Sequence, residues 1–205
     1  MIEIELINKP VLHDVEQRSD EWFQLRKGLF TASTFKDLFS AKTTKSYEKA
    51  IYKPVYERLT NESPESFSSE YMERGHELEP LANDAYEMET FNSVENGGFF
   101  TLGEWIGASP DGLIGNDGLI EIKCPAYNTM INYLLTKKLP SIYKLQVHGQ
   151  LYVTGREWCD FMAYHPKLKP LIIRIDRDEV IIKEIENKLL ESIKLAKNIL
   201  KQLEA

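Results

Sequence analysis

Ser109-Pro110-Asp111-Gly112 and Glu121-Ile122-Lys123-Cys124-Pro125 are the two stretches that decide the fold, and Asp111 precedes Glu121 by ten residues. The second stretch ends an apolar, β-branched run that begins at Gly118 and is typical of a strand. Alternate residues of a strand share a face, so the acid and the base of the triplet project together while the flanking isoleucines point into a core. Burying both charges is costly unless they are paired or bind an ion. The pattern therefore predicts either an ordinary edge strand or a functional site.

The residues between the two stretches predict a β-hairpin. Asn116-Asp117-Gly118 has the composition of a tight turn, and we expect these three residues to form the loop with Gly118 left-handed. This register places Asp111 opposite Lys123, so that Asp111, Glu121 and Lys123 share one face. A two-residue loop would put Asp111 on the other face unless a bulge intervened.

Composition indicates a globular chain, with 205 residues of which 42% are hydrophobic and 28% charged, and we expect one domain over residues 1–205. The net charge of -7 argues against a protein that coats nucleic acid, although it allows a local basic groove. Cys124 and Cys159 lack metal-ligand spacing, which favours buried free thiols in a reducing cytoplasm. No signal peptide and no run of membrane-spanning length is visible, so we expect no membrane partner.

Periodicity predicts an α+β fold, with a central mixed β-sheet flanked by helices. Helical patterns cover residues 19–26, 31–39, 45–53, 69–90, 129–135, 142–152 and the segment from 178 onward. Strand patterns cover residues 1–5, 93–95, 98–101, 105–107, 119–123, 158–164 and 171–175. Pro54 is expected to kink or end its helix, because proline removes a helical hydrogen bond.

Two carboxylates and a backbone carbonyl are ligands that suit Mg²⁺ or Mn²⁺ rather than Zn²⁺. Such an ion polarises a phosphoryl oxygen and lowers the pKa of a bound water, and a second ion would stabilise the leaving oxygen. Lys123 can orient or deprotonate the water, or neutralise the scissile phosphate. The charge pattern therefore predicts phosphodiester hydrolysis. A lysine beside the acid disfavours glycoside hydrolysis, and neither a Gly-x-Ser-x-Gly elbow nor a phosphate-binding loop occurs in the sequence.

Arg26 and Ser33 flank the junction of the first two predicted helices. A guanidinium beside hydroxyls and free helix N-terminal amides makes a good phosphate pocket. The simpler interpretation of the same pattern is an exposed arginine with an unrelated serine nearby.

The motif resembles that of the PD-(D/E)xK nuclease superfamily, through Pro110-Asp111 and Glu121-Ile122-Lys123. Its surroundings resemble the lambda-exonuclease-like viral recombination exonucleases over roughly residues 20–166. The stretches that carry this likeness are Leu25-Arg26-Lys27-Gly28, Thr31-Ala32-Ser33, Arg74-Gly75 with Glu79, Ser109 to Leu113, Glu121 to Pro125, Gln146-Val147, Val153-Thr154-Gly155-Arg156 and Tyr164-His165-Pro166.

The resemblance implies a single nuclease domain with a restriction-endonuclease-like core. It implies a Mg²⁺-dependent exonuclease, with Mn²⁺ as a substitute and two ions, that degrades linear double-stranded DNA from 5′ ends and leaves 3′ single strands for recombination. The implied site residues are the metal ligands Asp111, Glu121, the carbonyl of Ile122 and Glu79, the water-assisting Lys123 and Gln146, and the 5′-phosphate ligands Arg26 and Ser33. It also implies a ring-shaped homotrimer, a single-strand-annealing protein partner, and the cytoplasm of a bacterium or phage-infected host.

Several alternatives stay open. Glu79 precedes Pro80 on a helix crowded with acids, so Glu77 competes for its role, and His76 and His148 are left unassigned. A structure-specific or restriction-type endonuclease of the same superfamily is one alternative function, which nicking of closed circular duplex would identify. A catalytically silent DNA-end-binding module is another. Two cysteines are too few to ligate an iron–sulfur cluster.

Overall fold

The computed structural model of the protein describes residues 9–64 and 70–205. The strand expected at residues 1–5 lies outside these ranges. The helices are α1 (Asp20–Arg26), α2 (Phe35–Leu38), α3 (Lys45–Thr60), α4 (Glu70–Thr90), α5 (Tyr127–Thr136), α6 (Ser141–Thr154) and α7 (Glu179–Leu203), with a short 3-10 turn at Ala32–Thr34. The strands are β1 (Val11–His13), β2 (Phe30–Thr31), β3 (Glu95–Asn96), β4 (Phe99–Leu102), β5 (Ile106–Ala108), β6 (Gly112–Ile114), β7 (Gly118–Lys123), β8 (Trp158–Ala163) and β9 (Leu171–Asp176).

Local sequence signals explain where several helices begin and end. The Ser19 hydroxyl accepts a hydrogen bond from the backbone N–H of Trp22 and caps α1. The carboxylate of Asp178 caps α7 in the same way. Gly155 takes a left-handed conformation after α6, which a glycine does without steric cost. Pro54, expected to kink or end its helix, lies buried inside α3, which continues to Thr60, so the helix does not end at this proline.

The strands form two mixed sheets, which confirms the α+β class. One has the order β1-β4-β5-β2 and the other the order β3-β6-β7-β8-β9. In the second sheet β7 and β8 are parallel, and the remaining pairs are antiparallel. A parallel pair needs a crossover connection, which α5 and α6 provide.

Helices cover both faces of the second sheet. Ile120 and Ile122 pack with Ala82 and Tyr86 of α4 in one buried cluster. Leu119, on the opposite face, packs with Leu151 of α6 in the largest cluster, which also includes residues of α2, α3 and α7. The prediction that the isoleucines beside Glu121 point into a core, on the face opposite the acid, is therefore confirmed. No helix in the described ranges is long and apolar enough to cross a membrane.

The β6–β7 hairpin forms, but its register differs from the predicted one by two residues. Gly112 pairs with Ile120 and Ile114 with Gly118, so the position opposite Asp111 is that of Glu121 rather than Lys123. Gly115, not Gly118, has the left-handed φ of +51° and starts the loop. Gly118 is needed within the strand, because a Cβ there would lie 2.2 Å from the ring of Trp158. A two-residue shift preserves the face of each side chain, so the three charges still converge.

Candidate active site

Two adjacent cavities, of about 410 and 180 Å³, lie at the end of β7 where it meets α6. Four residues line both of them: Arg18, His76, Asp111 and Lys123. The larger cavity is also lined by Glu79 and Ile122, and the smaller by Arg26, Ser33, Glu121 and Gln146. The structure thus brings the eight predicted site residues together around one connected space.

Glu121 is fully buried and is held by hydrogen bonds to both carboxylate oxygens. Gln146 donates to Oε1 at 2.5 Å, Gln150 donates to Oε2 at 2.6 Å, and the ammonium of Lys123 also contacts Oε1. Both glutamines come from α6, where residues four apart lie on one face. The family resemblance points to Gln146 but not to Gln150. The signal that identifies it is this spacing on an otherwise apolar buried face.

Asp111 lies against Glu121 and adds a second carboxylate to the same partly buried space. Its backbone N–H donates to the carbonyl of Ile120 at 3.1 Å, and its Oδ2 accepts from the backbone N–H of Ile122 at 2.6 Å. Burial first, and then the charge of Glu121, raise the pKa of Asp111 to about 8. The ammonium of Lys123 opposes this shift but does not cancel it. The pair of carboxylates therefore favours uptake of a proton or a cation.

Lys123 stays charged in this environment. Burial alone would lower its pKa, but the carboxylates of Glu121 and Asp111 raise it above the ordinary lysine value. Its ammonium also lies 5.4 Å from the centre of the Tyr143 ring. A charged Lys123 can neutralise a phosphate or donate a hydrogen bond, whereas it is a poor base.

Glu79 reaches the larger cavity from α4, while Glu77 is exposed and lines neither cavity. The Oε2 atom of Glu79 accepts a hydrogen bond from the guanidinium of Arg18 at 2.5 Å. Arg18 is not predictable from the sequence, because nothing near it in the chain marks an isolated arginine as part of a site. His76 lies at the rim of both cavities, where burial and the nearby Arg18 lower its pKa. His148 is buried in α6 and lines neither cavity.

Arg26 and Ser33 border the smaller cavity opposite Glu121. The guanidinium of Arg26 stacks over the ring of Trp22 at 4.1 Å, and the indole N–H of Trp22 donates to the hydroxyl of Ser109 at 2.9 Å. Within residues 9–64 and 70–205, this guanidinium donates no hydrogen bond and forms no ion pair. Burial lowers the pKa of Arg26 to about 10. The result is a partly buried cation available for an external anion.

The donor set of the site suits a hard divalent cation. Asp111 and Glu121 crowd two negative charges together, and oxygen donors of this kind are the preferred ligands of Mg²⁺. Among the described residues, no group of three or more His, Cys, Asp or Glu side chains has metal-holding geometry as it stands. A complete set of metal ligands therefore requires the carbonyl of Ile122 or a further carboxylate that turns toward the ion. Cys124 borders the larger cavity, but burial raises its pKa to about 11, so it remains a thiol.

Residues 21–157 match the model of the YqaJ-like viral recombinase domain. The alkaline exonuclease LHK-Exo from Laribacter hongkongensis is 35% identical in sequence, with a TM-score of 0.84 over 91% of this chain and 96% of that chain. A structure of LHK-Exo in complex with dAMP matches with a TM-score of 0.85 over the same shares of the two chains. A phage related exonuclease from Haemophilus somnus 129PT has a TM-score of 0.65 at 13% identity, over 85% and 96% of the two chains, and this likeness shows the fold alone.

No curated protein matches the chain significantly. The family match covers well over half of the sequence, and it confirms the predicted resemblance to phage-type recombination exonucleases. The predicted enzyme class, a nuclease, is confirmed as well. The chain belongs to the YqaJ-like viral recombinase domain family.

Proposed function

We propose that the protein is a divalent-metal-dependent exonuclease that degrades linear double-stranded DNA from its 5′ ends and leaves 3′ single strands. The observation that carries this proposal is the smaller cavity, which is lined by the carboxylates of Glu121 and Asp111 and by the guanidinium of Arg26, a group without an ion-pair partner in the described part of the chain. An anion pocket beside a paired-acid site suits a DNA end, whose terminal phosphate and first phosphodiester lie one nucleotide apart.

In this proposal Arg26 and Ser33 bind the terminal 5′ phosphate. Guanidinium groups form strong, directional hydrogen bonds with phosphate oxygens. Because Trp22 links the Arg26 stack to Ser109, two residues before Asp111, the phosphate pocket and the acid site are held at a fixed separation. The terminal phosphate would thereby set which phosphodiester reaches the acids, and cleavage would start at an end.

Asp111, Glu121 and the carbonyl of Ile122 would hold Mg²⁺, with Mn²⁺ as a substitute, and Glu79 would support them. Such an ion, or two of them, polarises a phosphoryl oxygen and makes water a better nucleophile. Gln146 and Gln150 keep Glu121 in one orientation. Lys123, which stays charged, neutralises the scissile phosphate and orients the water instead of deprotonating it.

The remaining parts of the proposal rest on the exonucleases that the chain resembles. We infer one nuclease domain, a ring-shaped homotrimer around the DNA, a single-strand-annealing partner in recombination, and a location in the bacterial cytoplasm. Sedimentation equilibrium in the presence and absence of a short duplex measures the assembly directly. A monomer under both conditions would contradict the ring.

Digestion of end-labelled linear duplex tests the function. We expect rapid release of nucleotides from 5′-phosphorylated ends with Mg²⁺ or Mn²⁺, slower release from 5′-hydroxyl ends, and none with EDTA. Closed circular duplex should stay intact, since it offers no end. Nicking of the circle would favour an endonuclease of the same superfamily, and end binding without any cleavage would favour a silent end-binding module.

A further inference from the structure

Arg18 has a left-handed backbone conformation, with φ of +68°, at the third position of the turn from Glu16 to Ser19, where glycine or asparagine is the usual residue. The other non-glycine residues with positive φ in the described ranges are Asn61, Phe91 and Lys137. Each of these follows the last residue of a helix, where the left-handed conformation is common. Arg18 instead precedes the residue that caps the start of α1. Strain at such a position persists only where the surrounding structure enforces it, and it is frequent at functional sites.

The turn that contains Arg18 is fastened to the acid site. The backbone N–H of Ser19 donates to the carbonyl of Glu16 at 3.2 Å and closes the turn. The side chain of Gln17 then donates to the carbonyl of Pro110 at 2.7 Å. Because Pro110 directly precedes Asp111, this bond fixes the base of Arg18 beside the carboxylates.

The side chain of Arg18 lines both cavities, and its one hydrogen bond to the described residues goes to Glu79. The arginine side chain of this pair is 37% exposed. An ion pair so accessible to water contributes little stability, so it does not account for the strained backbone that supports it. A guanidinium has five donors, and most of those of Arg18 remain available.

We propose that Arg18 is a phosphate-binding residue that Glu79 holds in reserve until a divalent cation is bound. The inference rests on the proposed function, in which Glu79 supports the cation. A cation bound at Glu79 neutralises much of the carboxylate charge that holds Arg18 and repels the guanidinium, so the ion pair weakens. When Glu79 turns to the cation, the guanidinium is released at the point where the two cavities meet, where it binds a phosphate of the DNA strand. Cation binding and DNA binding are coupled in this way.

Arg18→Gly tests the inference with little risk to folding, since glycine adopts a positive φ without strain. Arg18→Lys is the matched control, because it keeps the charge and the strained backbone. Calcium affinity is measured by calorimetry without DNA, and binding of a fluorescent 5′-phosphorylated duplex by anisotropy with and without Ca²⁺. Arg18→Gly should bind Ca²⁺ roughly two- to fivefold more tightly, because an exposed ion pair no longer competes. The gain in DNA affinity on addition of Ca²⁺ should also be about tenfold smaller in this variant than in the wild type, which is typical of the loss of one charge-assisted phosphate contact.

Glu79→Gln gives the converse result, since it frees Arg18 without a cation. This variant should bind DNA more tightly than the wild type in EDTA, and the double variant with Arg18→Gly should not. Unchanged Ca²⁺ and DNA affinities in Arg18→Gly, with a wild type that binds both, would overturn the inference and leave the proposed function standing. An equal loss of DNA affinity with and without Ca²⁺ would make Arg18 a simple surface charge and also overturn it. A wild type that binds neither Ca²⁺ nor DNA would overturn the proposed function itself.

Discussion

Each face of the second sheet buries an acid, and an arginine stacked on a tryptophan lies near each acid, but the charges are balanced differently on the two faces. On the α4 face, Asp160 of β8 is buried and accepts from Arg174 at 2.5 Å and from the hydroxyl of Tyr86 at 2.7 Å. Arg174 itself lies 3.4 Å from the centre of the Trp158 ring. Both charges of this pair therefore have a partner within the protein.

On the α6 face the buried acids and the stacked arginine do not form an ion pair with each other. Glu121 and Asp111 together face a single ammonium, that of Lys123, whereas Arg26 stacks on Trp22 with no acid partner among the described residues. The excess of negative charge and the unpaired positive charge border one cavity. A buried acid is thus structural where its charge is balanced and a candidate for function where it is not. A cation and a phosphate would complete what the α6 face lacks.

The largest effect is expected from Asp111→Asn. Removal of one of the two crowded carboxylates should lower nuclease activity by roughly a thousandfold or more, because charge stabilisation at the reacting phosphate depends on it. Binding of duplex ends in EDTA should persist at the wild-type level, since Arg26 and Ser33 are untouched. Single-turnover digestion and anisotropy measure the two properties. Retained activity would remove Asp111 from the catalytic role proposed here.

The same variant should be more stable than the wild type in EDTA at pH 8. An acid whose pKa is raised from 3.8 unfolded to about 8 folded favours the native state fully at low pH, and this contribution is lost as the pH rises from about 4 to 8. Asparagine does not titrate, so the advantage of the variant should grow over that range. Urea unfolding at pH 5 and pH 8 tests the sign, and a parallel pH dependence of the two proteins would contradict it.

Asp160→Asn is the matched change on the balanced face. Breaking a fully buried pair costs roughly 3–5 kcal/mol, and the half-exposed Arg174 reduces this to about 2 kcal/mol. We expect lower stability at every pH near neutral and unchanged activity per folded molecule. Urea unfolding and digestion rates at low temperature separate these effects. A loss of activity larger than the loss of folded protein would show that the two faces are not independent.

The sequence predicts which face of β7 carries the acid and the lysine, but it does not predict how the site is arranged in detail. The reasons are physical. Strand periodicity correctly separates Glu121 from Ile120 and Ile122, because side chains alternate strictly in a strand. It cannot fix the hairpin register, since Gly115 and Gly118 both tolerate a left-handed turn and only contact with Trp158, distant in sequence, decides between them. Spacing also cannot distinguish balanced from unbalanced acids.

Long-range contacts also set the parts that periodicity missed. Arg18 joins the site through a turn fastened to Pro110, far away along the chain. Pro54 stays within a helix because its apolar neighbours Ile51 and Val55 are buried in the core and offset the lost hydrogen bond. Helix and turn propensities predict neither of these contacts. Both arise only in the folded structure.

Arg26→Ala removes the unpaired cation of the α6 face. Loss of one charge-assisted contact should reduce the preference for 5′-phosphorylated over 5′-hydroxyl ends by roughly tenfold, with little change in the rate on hydroxyl ends. Arg26→Lys keeps the charge and should retain part of the preference. Competition digestion of the two labelled ends measures the ratio. Equal losses on both ends would contradict a terminal-phosphate pocket.

Gln150→Leu is expected to have the smallest effect on activity and tests how Glu121 is held. Gln150 is fully buried, and leucine fills its space, but loss of the donor to the buried carboxylate of Glu121 should cost about 1–3 kcal/mol of stability. Glu121 then loses the bond to Oε2, and the maximal rate should fall a few-fold, about what 1 kcal/mol of positioning is worth. Thr154→Val, one turn along α6, removes a hydroxyl bonded to the Gln150 carbonyl and should leave the rate unchanged. A lower rate only at limiting Mg²⁺ would place Gln150 in cation binding, whereas an unchanged rate throughout would show that Lys123 and Gln146 suffice to orient the acid.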